Sequence, residues 1–119
     1  MEDAALRAQD DAAAAVAVAP RVTIDFINDH VVQAENYFTA AEAALALGQP
    51  VTPSMELLTL CVLTLRNGFT VTGESACASP ENFNAELGRT IARRNAVEKI
   101  WMLEGYLLRE RLANGAQSA

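Results

Sequence analysis

Asn67-Gly68 lies between two runs of β-prone residues and therefore predicts a β-hairpin. The runs cover residues 57–66 and 69–73, and both are rich in apolar and β-branched side chains. A two-residue type I′ turn requires a positive φ at both central residues, which Asn and Gly adopt more readily than other residues. This turn would place Leu65 opposite Thr70. One face of the hairpin would then carry Leu63, Leu65, Thr70 and Thr72.

A regular apolar spacing before the hairpin predicts a first long helix over residues 23–47. Thr23 is the expected N-cap, and Gly48 followed by Pro50 is a typical helix end. The stripe could serve the core of one chain or a seam with a second copy, and three heptads do not decide between these uses. Its members are Ile24, Ile27, Val31, Ala34, Phe38, Ala41 and Leu45.

A second long helix is expected over residues 79–113. Ser79-Pro80-Glu81 is a typical helix start, and Asn114-Gly115 is a typical end. Apolar residues fall on two sides of this helix, so both sides should be covered, which favours self-association. The first stripe is Phe83, Thr90, Arg94, Val97, Trp101, Leu108 and Leu112, and the second is Ala96, Ile100, Leu103 and Leu107.

Together these segments predict an α+β fold with two long helices and an Asn-Gly β-hairpin, assembled as a homo-oligomer. We expect a single helix-hairpin-helix domain over residues 21–113, a flexible Ala-rich arm over residues 1–20 and a tail over residues 114–119. A competing interpretation replaces the first strand of the hairpin with a helix over residues 54–65, capped at Ser54.

The net charge of −6 argues against a general binder of duplex DNA, because a basic excess drives such binding. The charge is uneven: nine acids and two bases lie in residues 1–58, and six acids and seven bases in the remainder. No segment has the length of a membrane span, and the acidic N-terminus is unlike a signal peptide. We therefore expect a cytoplasmic protein with no duplex-DNA or membrane partner.

Residues suited to catalysis are few. His30 is the single imidazole, and no Ser or Cys lies near it in sequence as a triad partner. The chain has no Walker loop, no GxGxxG fingerprint and no paired-acid metal motif. Cys61 and Cys77 are expected to be free thiols, and with one His they do not supply the usual ligands of a zinc site. We expect no enzyme activity, no metal and no cofactor.

Arg89, Arg93 and Arg94 form a local cluster of cations on the second predicted helix. Arg89 and Arg93 lie four residues apart on one face, where a solvated surface is the simpler interpretation. Arg94 points into the first apolar stripe, where an unpaired buried charge is costly. It should therefore pair with an acid such as Glu42 or Glu56, or meet the anionic group of a ligand.

Several segments resemble a family of small tailed-phage proteins, the phage gene-49/gene-66 product family. The resemblance rests on residues 63–77, 82–89 and 100–108, together with residues 37–40, and it extends over about two-thirds of the chain. The family label carries no established activity. The resemblance therefore implies a phage or prophage origin.

The chain is also similar to the small phage sponges of immune nucleotide signals, the anti-CBASS and anti-Thoeris proteins. This similarity rests on a hairpin followed by an approach from Cys77 to Asn82 into an Arg- and Ala-rich terminal helix. It implies a compact oligomer that binds cyclic oligonucleotides or ADP-ribose derivatives between subunits. The order of elements differs here, so no binding residue is carried over.

We accordingly predict a phage counter-defence protein that sequesters a host nucleotide immune signal in the host bacterial cytoplasm without cleaving it. The alternative is a small phage protein-interaction module that inhibits a host protein through an acidic or apolar surface. In a sponge, guanidinium groups would contact phosphates, and smaller polar groups would meet sugars or base edges. The phosphate contacts would be Arg66, Arg89, Arg93 and Arg94, and the smaller polar groups would be Thr70, Thr72 and Asn82.

Overall fold

The computed structural model describes residues 2–14 and 20–118 of the chain. Its helices are α1 (Glu2–Ala14), α2 (Ile24–Phe26), α3 (Ala40–Ala46) and α4 (Ala85–Ser118). Its strands are β1 (Val32–Thr39), β2 (Leu58–Leu65) and β3 (Thr70–Ala76), which form one antiparallel sheet in the order β1-β2-β3. A π-helical turn at Ile27–Val31 follows α2, and 3₁₀ turns at Pro53–Leu57 and Pro80–Asn82 precede β2 and α4. The fold is α+β, as the sequence predicts.

The core lies between α4 and one face of the sheet. β2 is the central strand, and every second side chain along it is buried. Helix α2 and the π-helical turn after it close one end of this core with Ile24, Ile27 and Val31. The remaining members of the buried cluster are Cys61, Leu63, Leu65, Val71, Ala92, Ala96, Val97 and Ile100.

The predicted hairpin is confirmed, but its turn has a different shape. The Gly68 amide donates to the Leu65 carbonyl at 2.8 Å, and the Leu65 amide donates to the Phe69 carbonyl at 2.8 Å. Within the described residues, the turn has a positive φ only at Gly68, where φ is +88°, so Asn67 does not adopt the type I′ conformation. This three-residue loop moves the register by one position, and Thr70 lies opposite Thr64 instead of Leu65.

The shifted register also corrects the predicted faces of the hairpin. Leu63 lies opposite Val71, and both side chains are buried against α4. Thr70 and Thr72 belong to the other face, where both are exposed. A slip of one residue exchanges the two faces of a strand, because successive side chains point to opposite sides.

The prediction of one long helix over residues 23–47 is wrong in its central part, which forms strand β1. Thr23 does cap a helix, since its Oγ1 accepts from the Phe26 amide at 3.1 Å. The chain then changes to strand β1 at Val32, and Thr39 caps the short helix α3 with a capping box to Glu42. The physical reason is non-local: β1 supplies the hydrogen-bonding partner for the second edge of the central strand β2. Pairing with β2 therefore outweighs local helix propensity.

Helix α4 begins and ends later than the sequence predicts. Ser79 and Pro80 open a 3₁₀ turn, and extended backbone at Phe83 separates that turn from the helix. The N-terminal cap is Asn84, whose Oδ1 accepts from the Leu87 amide at 3.0 Å. The helix then continues to Ser118, past the end expected at Asn114-Gly115.

Helix α1 is attached to the domain mainly by polar contacts. Arg7 forms an ion pair with Asp25, and an Oδ2 atom of Asp10 accepts from the Ile24 amide at 2.6 Å. Leu6 is the partly buried apolar side chain of α1 that packs on the core. Residues 15–19 of the expected arm lie outside the described residues. The flexibility of the arm and the boundaries of the domain stay predictions.

Candidate functional site

The seven residues that we predicted as ligand contacts do not form one site. Arg89, Arg93 and Arg94 line a common pocket on α4. Arg66 lies at the hairpin turn, beside the distal half of α4. The others lie on further parts of the surface, because Thr70 and Thr72 are on β3 and Asn82 is in the 3₁₀ turn before α4.

The arginine pocket, as we call it, is an open depression of about 360 Å³ between α1, β1 and α4. Val97, which is 2% exposed, belongs to the buried core, and Leu6 and Tyr37 are partly buried against that core. The pocket combines this apolar surface with three guanidinium groups and two carboxylates. Its lining residues are Asp3, Leu6, Tyr37, Glu86, Arg89, Thr90, Arg93, Arg94 and Val97.

Arg93 connects α4 to three other parts of the chain, and the solvated face that we predicted for it is wrong. Its Nε lies 3.0 Å from Glu35 Oε1, and its NH2 group donates to Asn28 Oδ1 at 2.7 Å. Asp3 of α1 is a more distant partner at 3.7 Å. The Arg93 side chain is 18% exposed, and although burial opposes its charge, these acidic partners raise its pKa. Arg93 is therefore a fixed positive charge in the pocket wall.

Glu35 is held in its ionised form by two donors. Burial alone would raise the pKa of this carboxyl, but hydrogen bonds from Tyr37 and Arg93 outweigh it and lower the pKa. The Tyr37 hydroxyl donates to Glu35 Oε1 at 2.6 Å. Burial and that hydrogen bond raise the pKa of Tyr37 far above its usual range, so Tyr37 stays protonated. The pair thus fixes the orientation of the Tyr37 ring beside the arginines.

Arg89 and Arg94 differ from Arg93 in their exposure. Both side chains are exposed on the surface of α4. The sequence places Arg94 within a buried apolar stripe, and this placement is wrong. The buried face of α4 instead runs through Ala92, Ala96 and Ile100. At 100° per residue, Ala92 and Ala96 lie about 160° around the helix from Arg94. The argument that a buried Arg94 needs an anionic partner therefore does not hold.

Arg66 makes an ion pair that the sequence did not indicate. Its NH2 group lies 3.4 Å from Glu104 Oε1, and the Glu104 side chain is 4% exposed. The guanidinium carbon also lies 5.9 Å from the centroid of the Phe26 ring, within the range of a cation–π contact. These contacts give Arg66 a structural role in joining the hairpin turn to α4.

The three smaller predicted contacts lie away from the arginine pocket. Lys99 donates to Thr72 Oγ1 at 3.4 Å, across the outer edge of β3. Thr70 and Thr72 line a shallow apolar depression together with Phe69. Asn82 is exposed and lines a separate depression of about 140 Å³. The structure therefore does not bring these residues to the arginines.

Sequence reasoning missed Glu35 and Asn28, which hold Arg93. Both lie in the segment that we predicted as one long helix, where their side chains would not converge on α4. Adjacent β-branched residues at Val31 and Val32, followed by Tyr37-Phe38-Thr39, are the signal that favours a strand there. That signal is weaker than the regular apolar spacing that surrounds it.

The remaining candidate chemistry is sparse in the described part of the chain. The His30 ring is exposed and lies 5.5 Å from the Phe26 ring, away from the arginine pocket. Cys61 and Cys77 are free thiols, and burial raises the pKa of Cys61. Within residues 2–14 and 20–118, no three His, Cys, Asp or Glu side chains are grouped to hold a metal ion. Among the same residues, no helix has the length and apolar character needed to cross a membrane.

Comparison with known proteins identifies a family. The model of the phage protein (N4 Gp49/phage Sf6 gene 66) family matches residues 22–112. The chain therefore belongs to this family, as its motifs predict. No curated protein and no solved structure matches the chain, so the similarity to anti-CBASS and anti-Thoeris sponges has no support from these comparisons.

Proposed function

We propose that this member of the phage protein family binds a host nucleotide immune signal in the arginine pocket and sequesters it without cleaving it. The ligand class is a cyclic oligonucleotide or an ADP-ribose derivative, and binding takes place in the host bacterial cytoplasm. The observation that carries the proposal is the convergence of Arg89, Arg93 and Arg94 around one depression beside Tyr37.

The arginines suit phosphate groups because a guanidinium presents paired donors in a planar fork. Arg89 and Arg94 are exposed and line the pocket. Arg93 is already oriented by Glu35 and Asn28, so it adds a positive charge without the entropic cost of ordering a mobile side chain. The volume of about 360 Å³ lies within the range of small-molecule sites.

The acidic groups in the pocket limit the charge of a suitable ligand. Asp3 and Glu86 line the pocket together with the three arginines, and Glu35 neutralises Arg93. The local excess of positive charge is therefore small. A ligand with one to three phosphates fits this balance better than a nucleic acid strand, in agreement with the acidic charge of the whole chain.

Three features of the pocket support binding without turnover, although Asp3 and Glu86 also line it. Tyr37 is held protonated by burial and by Glu35, which removes it as a general base near neutral pH. Among the residues that the structure describes, the lining includes no His, Cys or Lys. Guanidinium groups remain protonated, so they bind phosphates but do not accept a proton from an attacking water.

Titration calorimetry tests this proposal with ADP-ribose, cyclic dinucleotides and a cyclic trinucleotide as probes. We expect micromolar or tighter binding of at least one probe, and a loss of about 100-fold in the double variant Arg89→Gln/Arg94→Gln, since each charge-assisted hydrogen bond contributes about 1.5–3 kcal/mol. The matched control is Arg109→Gln/Arg111→Gln, which removes two exposed arginines from the distal half of the same helix. Equal affinity in both double variants would refute the proposal.

A second candidate function, protein binding, is favoured by an exposed apolar patch. Met102 is 77% exposed and Tyr106 is 72% exposed, one helical turn apart on α4. Leu103 and Leu107 lie beside them, and Phe69 at the hairpin turn adjoins the same surface. Apolar groups clustered in this way typically mark an interaction surface. A second copy of the chain is the partner expected from the sequence, and a host protein is the alternative.

Light scattering coupled to size-exclusion chromatography distinguishes these partners. If a second copy covers the patch, the wild-type protein elutes as an oligomer and Met102→Ser/Tyr106→Ser elutes as a monomer. Leu87→Ser, at another exposed apolar position of α4, should leave the mass unchanged. A monomeric wild-type protein would argue against the oligomer and leave the patch available to a host protein.

A further inference from the structure

A second depression adjoins the arginine pocket, and Tyr37 and Arg89 line both. This aromatic pocket has a volume of about 380 Å³ and lies between β1 and the first turn of α4. Phe83 adds a second aromatic residue to its lining. Phe38 also lines the pocket, but it alternates with Tyr37 along β1 and its side chain belongs to the other face of the sheet. Tyr37 and Phe83 offer apolar surface to a ligand, and Arg89 lies on the boundary with the charged pocket.

Thr59 gives this pocket an unusual polar group. The residue lines the pocket and is 3% exposed. Among the described residues, its Oγ1 has no hydrogen-bond partner, which is costly for a buried hydroxyl. Gly88 of α4 packs closely against this residue, because a Cβ there would lie 2.9 Å from Thr59 Oγ1. An unsatisfied hydroxyl in a pocket wall is suited to a ligand that brings its own donor or acceptor.

The charge of the aromatic pocket differs from that of the arginine pocket. The aromatic pocket contains Arg89 and the carboxylate of Glu42, which caps α3 by accepting from the Thr39 amide at 2.8 Å. That hydrogen bond to Thr39 lowers the pKa of Glu42, so a negative charge faces the pocket near neutral pH. A phosphate is disfavoured beside this carboxylate, whereas an uncharged ring with donor groups is not.

From these observations we infer that the aromatic pocket holds the base and ribose of a nucleotide whose phosphates lie in the arginine pocket. The inference rests on the proposed function and assigns a second part of the ligand to a second part of the surface. Tyr37 and Arg89 line both pockets and would therefore contact the ligand where its ribose joins its phosphates. The rings of Tyr37 and Phe83 supply stacking or edge contacts to the base, and the Thr59 hydroxyl supplies a hydrogen bond.

Calorimetry with three probes tests the assignment: ADP-ribose, inorganic pyrophosphate and adenosine. We expect ADP-ribose to bind at least 10-fold more tightly than pyrophosphate. Thr59→Val removes the hydroxyl with little change in volume, and we expect it to weaken ADP-ribose binding about 5- to 10-fold while pyrophosphate binding stays unchanged. The same variant should raise the melting temperature of the ligand-free protein, because it removes an unsatisfied buried hydroxyl. A merely structural role for Thr59 predicts no selective loss of ADP-ribose.

The outcomes separate this inference from the proposed function. Equal binding of ADP-ribose and pyrophosphate, with no effect of Thr59→Val on either, would overturn the aromatic subsite and leave the arginine pocket in place. Adenosine binding as tightly as ADP-ribose, with a loss in Thr59→Val, would support the subsite and count against the arginines as phosphate contacts. No binding of these three probes, or of the cyclic dinucleotides and the cyclic trinucleotide, would overturn both.

Discussion

Gly73 of β3 lies in direct backbone contact with Ala96 of α4, since a Cβ on Gly73 would lie 2.3 Å from the Ala96 nitrogen. The same Cβ would lie 2.1 Å from the carbonyl oxygen of Ala92, one turn earlier. Helix and sheet approach this closely because glycine and alanine meet at the crossing. The crossing fixes the position of α4 and hence the alignment of Arg93 with Glu35 of β1.

Gly73→Ala should therefore destabilise the protein strongly. The obstructing atoms belong to the helix backbone and cannot rotate away, so α4 would have to shift, at an expected loss of about 3 kcal/mol. Chemical denaturation gives this difference. The matched control is Gly105→Ala in α4, where an added Cβ would have nothing within 4 Å. We expect this substitution to raise the free energy of unfolding by about 1 kcal/mol through helix propensity. Similar effects of the two substitutions would contradict the close crossing.

The start of α4 gives a second prediction. Asn84→Ala removes the side chain that accepts from the Leu87 amide and should lower the free energy of unfolding by about 1 kcal/mol. Ser79→Ala should change it by less than about 0.5 kcal/mol, because Ser79 makes no side-chain cap to the 3₁₀ turn. Denaturation of both variants distinguishes the two helix starts. The reverse order of effects would support the start that the sequence indicates at Ser79.

The Glu35–Arg93 contact predicts that the stability of the folded protein depends on pH in the acidic range. The pKa of Glu35 is lowered in the folded protein from its ordinary value of 4.5, so its stabilising effect is present above that pH and is lost as the pH falls through the folded pKa. We expect the melting temperature to fall more steeply between pH 6 and pH 3 in the wild-type protein than in Glu35→Gln.

The other carboxyls with lowered pKa values provide the internal control for that titration. Glu42 and Glu81 are present in both proteins and contribute equally to both curves. The difference between the curves therefore isolates Glu35. Parallel curves for the wild-type protein and Glu35→Gln would show that Glu35 gains no net stabilisation from Arg93 and Tyr37.

The elements that the sequence predicts well are those with local causes. Asn67-Gly68 predicts the hairpin because Gly68 adopts the positive φ of its three-residue loop, and α4 has a long helical pattern. β1 has no such local cause, and the sequence does not predict it. Its segment continues the apolar spacing of Ile24, Ile27 and Val31 and becomes a strand only through pairing with β2. The one-residue change in the β2–β3 register was also not predicted. Turn geometry depends on the φ that Asn67 adopts in the fold, and its identity alone does not fix that angle.

The candidate site likewise has a part that the sequence predicts and a part that it does not. Helical spacing is enough to bring Arg89, Arg93 and Arg94 together, because they lie within six residues of one helix. It does not reveal that Glu35 holds Arg93 from 58 positions away, or that Glu104 meets Arg66 from 38 positions away. The ion pair with Glu104 gives Arg66 a structural role, whereas the ion pair with Glu35 orients Arg93 in the wall of the arginine pocket. Only the packed fold shows which arginines remain exposed.

The most direct measurement asks what the protein retains from a cell that produces immune nucleotides. Purified wild-type protein is incubated with an extract of signal-producing bacteria, washed and denatured, and the released small molecules are identified by mass spectrometry. The account predicts an intact nucleotide in stoichiometric amount from the wild-type protein and from Arg109→Gln/Arg111→Gln, and little from Arg89→Gln/Arg94→Gln. A cleaved product, or no nucleotide from the wild-type protein, would contradict sequestration in the arginine pocket.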